Sequence, residues 1–228
     1  LKNKLKVITF GIKNKKSNLK LISVKWNIKN YKINIRINDL QRYFFISNDF
    51  QNNIYNILAT LAVMSINTNI LKFNKNIFLD FETPEGRGDF SKLKINNKNI
   101  NLIDESYNSN PLSLKSAILN YDKINLIRSK KYLLLGDMLE LGNHSKKLHR
   151  SIVPLINKTK IDKVFVKGKD VILIFKNLSQ NKKGRILHNK SQIIELIKND
   201  LNNNDCLMIK ASNATGFNRI VKDLKRLN

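Results

Sequence analysis

Four short stretches hold residues whose types and spacing suit chemistry on an anionic, nucleotide-like ligand. In "PEGRGDF", Arg87 stands between Gly86 and Gly88. The backbone can approach a ligand closely there while a planar guanidinium reaches phosphate or carboxylate oxygens. In "NLIDESYNSNP", Asp104 and Glu105 close an apolar run; Asn108 or Asn110 can tie a turn or cap a helix that opens on Pro111. The two acids can hydrogen-bond ribose hydroxyls or position an ammonium nucleophile. As caps they would simply favour a helix N-terminus. In "LLLGDMLELG", Gly136 allows a tight exit from a buried strand and Asp137 follows it. In "LMIKASNATGF", Lys210, Ser212 and Asn213 lie between a strand and a helix, a setting that suits an anion and equally a plain capped helix.

A fifth stretch, "NDFQNNIYNILAT", puts Asn53 and Asn56 three apart at a helix start. They share a face there and can read the donor and acceptor edge of a base. N-capping by Asn52 or Asn53 is the simpler account of that spacing. The three histidines, at 144, 149 and 188, have no metal-ligand spacing, so no protein-built metal site is expected.

These residues need elements to hold them. Up to about residue 50, β-branched and aromatic runs alternate with polar residues ("KVITFG", "LKLISVKWNI", "YKINIRIN", "RYFFIS"), which predicts mostly antiparallel strands. From Asn52 the period becomes helical, with Ile54, Ile57, Leu58, Leu61 and Ala62 on one face, and a second helix is expected over Ile70 to Leu79. After "LKINNKNINLID", read as one strand, helix-like and strand-like segments alternate to the end of the chain. That pattern predicts an α/β unit with a mostly parallel sheet covered on both faces. The domain boundary is expected inside the acidic motif, giving domains 1–105 and 106–228 joined by a linker.

Composition narrows the function classes. The net charge is +25, from 42 Lys and Arg against 17 Asp and Glu. Such an excess usually points to nucleic acid or an anionic membrane. Here the basic residues are spread out, Lys, Asn and Ile are abundant together, and no zinc-finger spacing or aromatic-studded basic motif occurs, so no nucleic-acid partner is expected. Cys206 lies in an apolar run and reads as a small buried hydrophobe in a reducing compartment. The longest apolar stretch is too short to span a bilayer and no signal-peptide layout opens the chain, so a cytosolic protein without membrane insertion is expected. The opening "LKNKLKVITFGI" predicts that the chain begins inside a domain.

Taken in order, "PEGRGDF", "LIDESYNSNPLSLKSAI", "LLLGDMLELGNHSKKLH" and "LMIKASNATGF" closely resemble the Mur ligases, in the branch that adds D-alanyl-D-alanine. The resemblance implies the end of a central ATPase domain followed by a complete Rossmann-like C-terminal domain. It also implies a monomer that uses ATP and Mg²⁺ to join D-Ala-D-Ala to UDP-N-acetylmuramoyl-tripeptide. Carried onto this sequence, Asn53 and Asn56 match adenine-side asparagines, although Asn52 stands where a histidine is usual. Arg87 matches the hinge arginine that reaches the nucleotide. Asp104 and Glu105 match an Asp-Asp pair of which one meets the ribose, and the glutamate leaves open which of them does so. Tyr107, Asn108, Asn110 and Asp137 match positions around the incoming dipeptide and the closing domain. Lys210 and Ser212 match a Lys-Gly-Ser, with Ala211 in place of glycine. No G-x-x-x-x-G-K-[ST] occurs in these 228 residues, nor do the family's magnesium-holding acid, histidine and modified lysine; both are expected in a preceding portion. The rival readings are a superfamily ligase for another amino acid, a folylpolyglutamate-type enzyme, and a basic nucleic-acid-binding protein.

Overall fold

A computed structural model describes residues 7–47, 53–81, 84–126 and 128–226. The chain divides into two compact units, Leu1–Thr83 and Pro84–Asn228, each with its own core.

In the first unit the alternating runs form a four-stranded sheet in the order β1 (Phe10–Gly11), β2 (Leu19–Asn27), β3 (Asn30–Ile37) and β4 (Leu40–Ile46). The pairings β2/β3 and β3/β4 are antiparallel, while β1/β2 is parallel. Helix α1 (Ile54–Met64) buries Ile57, Leu58, Leu61 and Ala62 in one core with Ile33, Ile35 and Phe44, the helical face expected from the period. The second helix is shorter than the sequence pattern suggests. A single 3-10 turn covers Ile70–Lys72, capped by the Asn69 side chain, and Phe78 then pairs with Ile46 beside β4. Asn74 explains the difference. Its side chain accepts from the Asn76 amide two residues on, and such a local turn competes with helix propagation.

The second unit carries a six-stranded sheet in the order β5-β6-β10-β7-β8-β9: β5 (Asp89–Ile95), β6 (Lys98–Glu105), β7 (Lys131–Gly136), β8 (Lys163–Lys167), β9 (Lys183–Ile186) and β10 (Cys206–Lys210). All neighbours are parallel except β5/β6. The segment "LKINNKNINLID" is therefore two strands rather than one. Asn96 and Asn97 (φ 49° and 61°) form a two-residue hairpin turn, the conformation in which asparagine is tolerated better than most residues. This hairpin moves the division of the chain. The unit boundary falls at Thr83/Pro84 instead of inside residues 105–112, because β5 and β6 belong to the second sheet. The acidic motif is thus the exit of a core strand, not a linker between units.

Side chains alternate across the strands. Tyr132, Leu134, Phe165, Leu207 and Ile209 pack with α6 (Lys190–Glu195) and α7 (Phe217–Lys225). Leu133, Leu135, Val164, Val166 and Met208 pack with α2 (Pro111–Lys123), α4 (Val153–Lys158) and α5 (Ile172–Asn177) on the other face. The expected helix through "SKKLHRSIVPLI" breaks into α3 (Ser145–Arg150) and α4, with Pro154 in the first turn of α4.

Candidate functional site at the strand ends of the second unit

Ligands of doubly wound sheets collect beyond the strand C-termini, where neighbouring strands feed helices on opposite faces. β10 has that position. It is followed by α7 on one face, while β6 and β7 on either side of it lead to α2 and α4 on the other. The register sets Lys210 beside Glu105 of β6 and Leu135 of β7, one residue before Gly136. Gly136 leaves room for this convergence: a Cβ there would come within 2.6 Å of both the Ala211 Cβ and the Phe217 ring.

Lys210 is 1% exposed, and its ammonium donates to Glu105 Oε2 (3.2 Å) and the Asn108 carbonyl (2.9 Å). A buried ammonium is stable only when so paired. Glu105, with a quarter of its side chain exposed, carries the solvent-facing end of the pair. Ser212 Oγ donates to the Ser109 carbonyl (3.1 Å) and accepts from the Leu139 amide (3.0 Å), joining the β10, β6 and β7 exits. Asn110 caps α2 by accepting from the Ser113 amide (2.8 Å), reciprocated through the Ser113 hydroxyl, with Pro111 at the first helical position. The hydroxyls of Ser106 and Ser109 are buried in this loop without a hydrogen-bond partner.

The turn bearing Arg87 lies against the same exit. Gly86 (φ 75°) and Gly88 (φ 95°) are both in the left-handed region, and a Cβ on Gly86 would press within 2.9 Å of the Tyr107 amide. The Gly88 amide donates to the Asp104 carbonyl (2.7 Å), and the Tyr107 amide to the Gly86 carbonyl (3.0 Å). Arg87 is exposed, and its Cζ sits 4.1 Å from the Tyr107 ring centroid, a cation–π contact that orients the guanidinium. The two adjacent acids differ in setting. Asp104 is buried and turned inward: Oδ1 accepts from the Ser106 amide (2.9 Å) and Oδ2 lies 3.9 Å from Lys225 Nζ. Burial, reinforced by nearby Asp89, raises its pKa despite the Ser106 bond and Lys225.

Asp137 has a holding role. Its carboxylate accepts from the Lys169 (2.8 Å), Asp170 (2.9 Å) and Val171 (2.7 Å) amides, fixing the β8 exit ahead of α5. His149 is fully buried; Nε2 accepts from the Met138 amide (3.1 Å), so Nδ1 carries the proton and donates to the Ser145 carbonyl (2.8 Å). Asn53 and Asn56 lie in the first unit, where Asn56 Nδ2 donates to Asn53 Oδ1 (3.0 Å) and Asn53 caps nothing with its side chain. Asn52 is outside the described residues. Among the described residues, no group of three or more His, Cys, Asp or Glu side chains could hold a metal ion. No helix among them is long and apolar enough to cross a membrane.

The structure thus unites Glu105, Asn108 and Lys210, stacks Arg87 on Tyr107, and ties Ser212 to the same loop. It adds two residues that sequence reasoning passed over. Lys225 Nζ bonds Asp89 Oδ2 (2.6 Å), and Asp89 Oδ1 accepts from the Gly86 amide (2.6 Å). Asp89 was legible only as the tail of the Gly-Arg-Gly stretch, and Lys225 as the polar face of an amphipathic helix.

Residues 90–213 match the family described as Mur ligase, glutamate ligase domain. Curated relatives include the UDP-N-acetylmuramoyl-tripeptide–D-alanyl-D-alanine ligases of Bacillus subtilis and Buchnera aphidicola subsp. Baizongia pistaciae. The first is 34% identical over 55% of this chain and 28% of its own, the second 29% identical over 96% and 46%. The chain therefore spans less than half the length of these relatives. Among solved structures, the MurF ligase of Thermotoga maritima in complex with ADP has the same fold, with a TM-score of 0.73 and 20% identity over 96% of this chain and 48% of its own. MurC of the same organism gives a TM-score of 0.64 at 15% identity, over 96% and 46%. With more than half of its 228 residues inside the family match, the chain belongs to the Mur ligase family.

Proposed function

We propose that this chain is the C-terminal part of an ATP-dependent ligase that adds D-Ala-D-Ala to UDP-N-acetylmuramoyl-tripeptide in the cytoplasm, a step of peptidoglycan precursor synthesis. The observation that carries the reading is the gathering of four separate motifs, through Arg87, Glu105, Asp137 and Lys210, around one topological switch point. The names of the relatives supply the substrate pair.

In the proposed reaction a substrate carboxylate oxygen attacks the γ-phosphorus of ATP, giving an acyl phosphate and ADP. The amino group of D-Ala-D-Ala then adds to the acyl carbon, and the tetrahedral intermediate expels phosphate as the amide forms. Negative charge accumulates in both steps, and fixed cationic groups offset it. In this reading Arg87 reaches phosphate oxygens, because its guanidinium is exposed and already oriented on Tyr107. Of the two acids, Glu105 is the one proposed to meet the ribose, since Asp104 is buried and engaged with its own loop. Asn53 and Asn56 are proposed on the adenine side, and Tyr107, Asn108 and Asn110 near the dipeptide. Asp137, Lys210 and Ser212 are proposed to hold the loops that surround it. Magnesium would be held by residues outside this chain.

The test is product formation by the protein restored to the length of its relatives. ATP, UDP-N-acetylmuramoyl-tripeptide and D-Ala-D-Ala together should yield the pentapeptide by mass spectrometry, with phosphate released only when all three are present. Ligation of a diamino acid with none of D-Ala-D-Ala would overturn the substrate assignment. The 228 residues alone, without a phosphate-cradling loop, should not hydrolyse ATP.

A further inference from the structure

We propose that the C-terminal helix α7 is a clamp for the Arg87 turn, with Lys225 and Asp89 as positioning residues that fix where the arginine presents its guanidinium. The geometry forms a closed chain of contacts. Lys225 Nζ meets Asp89 Oδ2 at 2.6 Å, with less than a third of either side chain exposed, and Asp89 Oδ1 holds the Gly86 amide at 2.6 Å. Gly86 returns its carbonyl to the Tyr107 amide, and the Tyr107 ring carries Arg87. One helical turn earlier, Lys222 pairs with Glu85 at 3.0 Å, on the same turn. The helix is itself immobilised: Phe217, Val221 and Leu224 are fully buried in the core that β5 and β6 share.

Physically, the turn needs such an anchor. Its two glycines sit at positive φ and place little restraint on the backbone of their own. Two backbone bonds, Gly88 to Asp104 and Tyr107 to Gly86, fix the turn to the β6 exit, and neither ties it to α7. A charge-assisted bond from a rigid helix to Asp89, relayed to the Gly86 amide, supplies that tie. Lys225 is also only 3.9 Å from buried Asp104, so one ammonium steadies both carboxylates behind the arginine. α7 follows directly on the loop carrying Lys210 and Ser212. The clamp therefore couples the β10 exit to the Arg87 turn through one short helix.

The role assigned to Arg87 rests on the proposed nucleotide reading, whereas the clamping of the turn does not, and the test has an arm for each. In the 228-residue chain, native-state hydrogen exchange of the Gly86 and Gly88 amides should speed up by about tenfold or more in Lys225→Met and in Asp89→Asn. Amides of β7 should keep their protection, and Lys225→Arg should restore the slow exchange. Unchanged exchange at Gly86 and Gly88 in both disabling variants would overturn the clamp. If Lys225→Met loses its fold, Asp89→Asn against Lys225→Arg decides the matter. In the protein restored to full length, Lys225→Met should raise the KM for ATP with a smaller change in kcat, and should add little to Arg87→Ala. Faster exchange with an unaltered KM would leave the clamp standing and remove its purpose at Arg87. A full-length protein with no ligase activity would overturn the nucleotide reading alone.

Discussion

At the residue scale, the decisive distinction is between side chains whose polar atoms are already committed and those that are not. Asp137 and Arg87 illustrate it. Three backbone amides converge on the Asp137 carboxylate, two of these bonds being part-buried, so Asp137→Ala removes three charge-assisted bonds and should lower stability by about 2 kcal/mol, with activity falling in step. Arg87 is exposed and, among the described residues, its guanidinium makes no hydrogen bond to another side chain. Arg87→Ala should leave the melting temperature nearly unchanged while kcat/KM of the full-length enzyme drops by roughly 100-fold. Equal losses of stability and activity in Arg87→Ala would assign the arginine to the fold. Asp104 gives a pH test. Its folded-state pKa is raised above 3.8, chiefly by burial, so the folded state holds a proton that the unfolded state has lost. Stability on this account declines as pH rises from the ordinary carboxyl value through the raised one. Asp104→Asn should remove that decline, so the variant gains on the parent as pH rises above the ordinary carboxyl value. Parallel stability–pH curves from denaturant unfolding would sink the assignment.

Elements were legible where one period ran long enough to outweigh local chemistry. The β2–β4 runs, the apolar face of α1 and the βα alternation from α2 onward follow directly from periods of two and of 3.6. Apart from the break between α3 and α4 at Pro154, the failures share one cause, asparagine. The chain uses it at turns, where its side chain satisfies its own backbone, and hydrophobic periodicity is blind to that. Asn74 lies where a helical pattern ends early, and Asn96 with Asn97 folds one apparent strand into a hairpin. Of the site, the motifs were legible, because strand-end glycines and acids stand out against apolar runs. The Lys225–Asp89–Gly86 relay was not, since its members lie 136 residues apart and meet only through the sheet order. The hairpin can be tested by conformation alone. A β-branched residue at the left-handed Asn97 position should cost about 1–2 kcal/mol, so Asn97→Val should be destabilised on that scale while Asn97→Gly is at least as stable as the parent. If chemical denaturation shows Asn97→Val and Asn97→Gly unfolding together, the turn is not the one described.

For the whole molecule, the hairpin changes what counts as a domain. A boundary at residue 105 would leave the second unit with β7 to β10 and give β5 and β6 to the first. Yet β6 pairs with β10 along its length from Asn101 to Glu105, and Leu93, Ile95, Ile100 and Leu102 lie in the core with α6 and α7. Removing the hairpin would strip one side of β10, a strand of five buried residues, and open that core to water. Burial of a large aliphatic side chain stabilises by about 1.5–3 kcal/mol, so four such losses are comparable to the whole net stability of an ordinary domain, about 5–15 kcal/mol. Division at Thr83/Pro84 cuts through neither sheet, and the family match begins only a few residues later, at 90. A protein of residues 84–228 should therefore unfold as one cooperative transition, with dispersed amide resonances. A protein of residues 106–228 should be largely unfolded or aggregated under the same conditions, despite containing every later strand and helix. The comparison needs only expression, circular dichroism and a proton–nitrogen correlation spectrum of each. A folded, cooperative 106–228 would restore the boundary to the acidic motif and make Asp104 and Glu105 the end of the preceding unit.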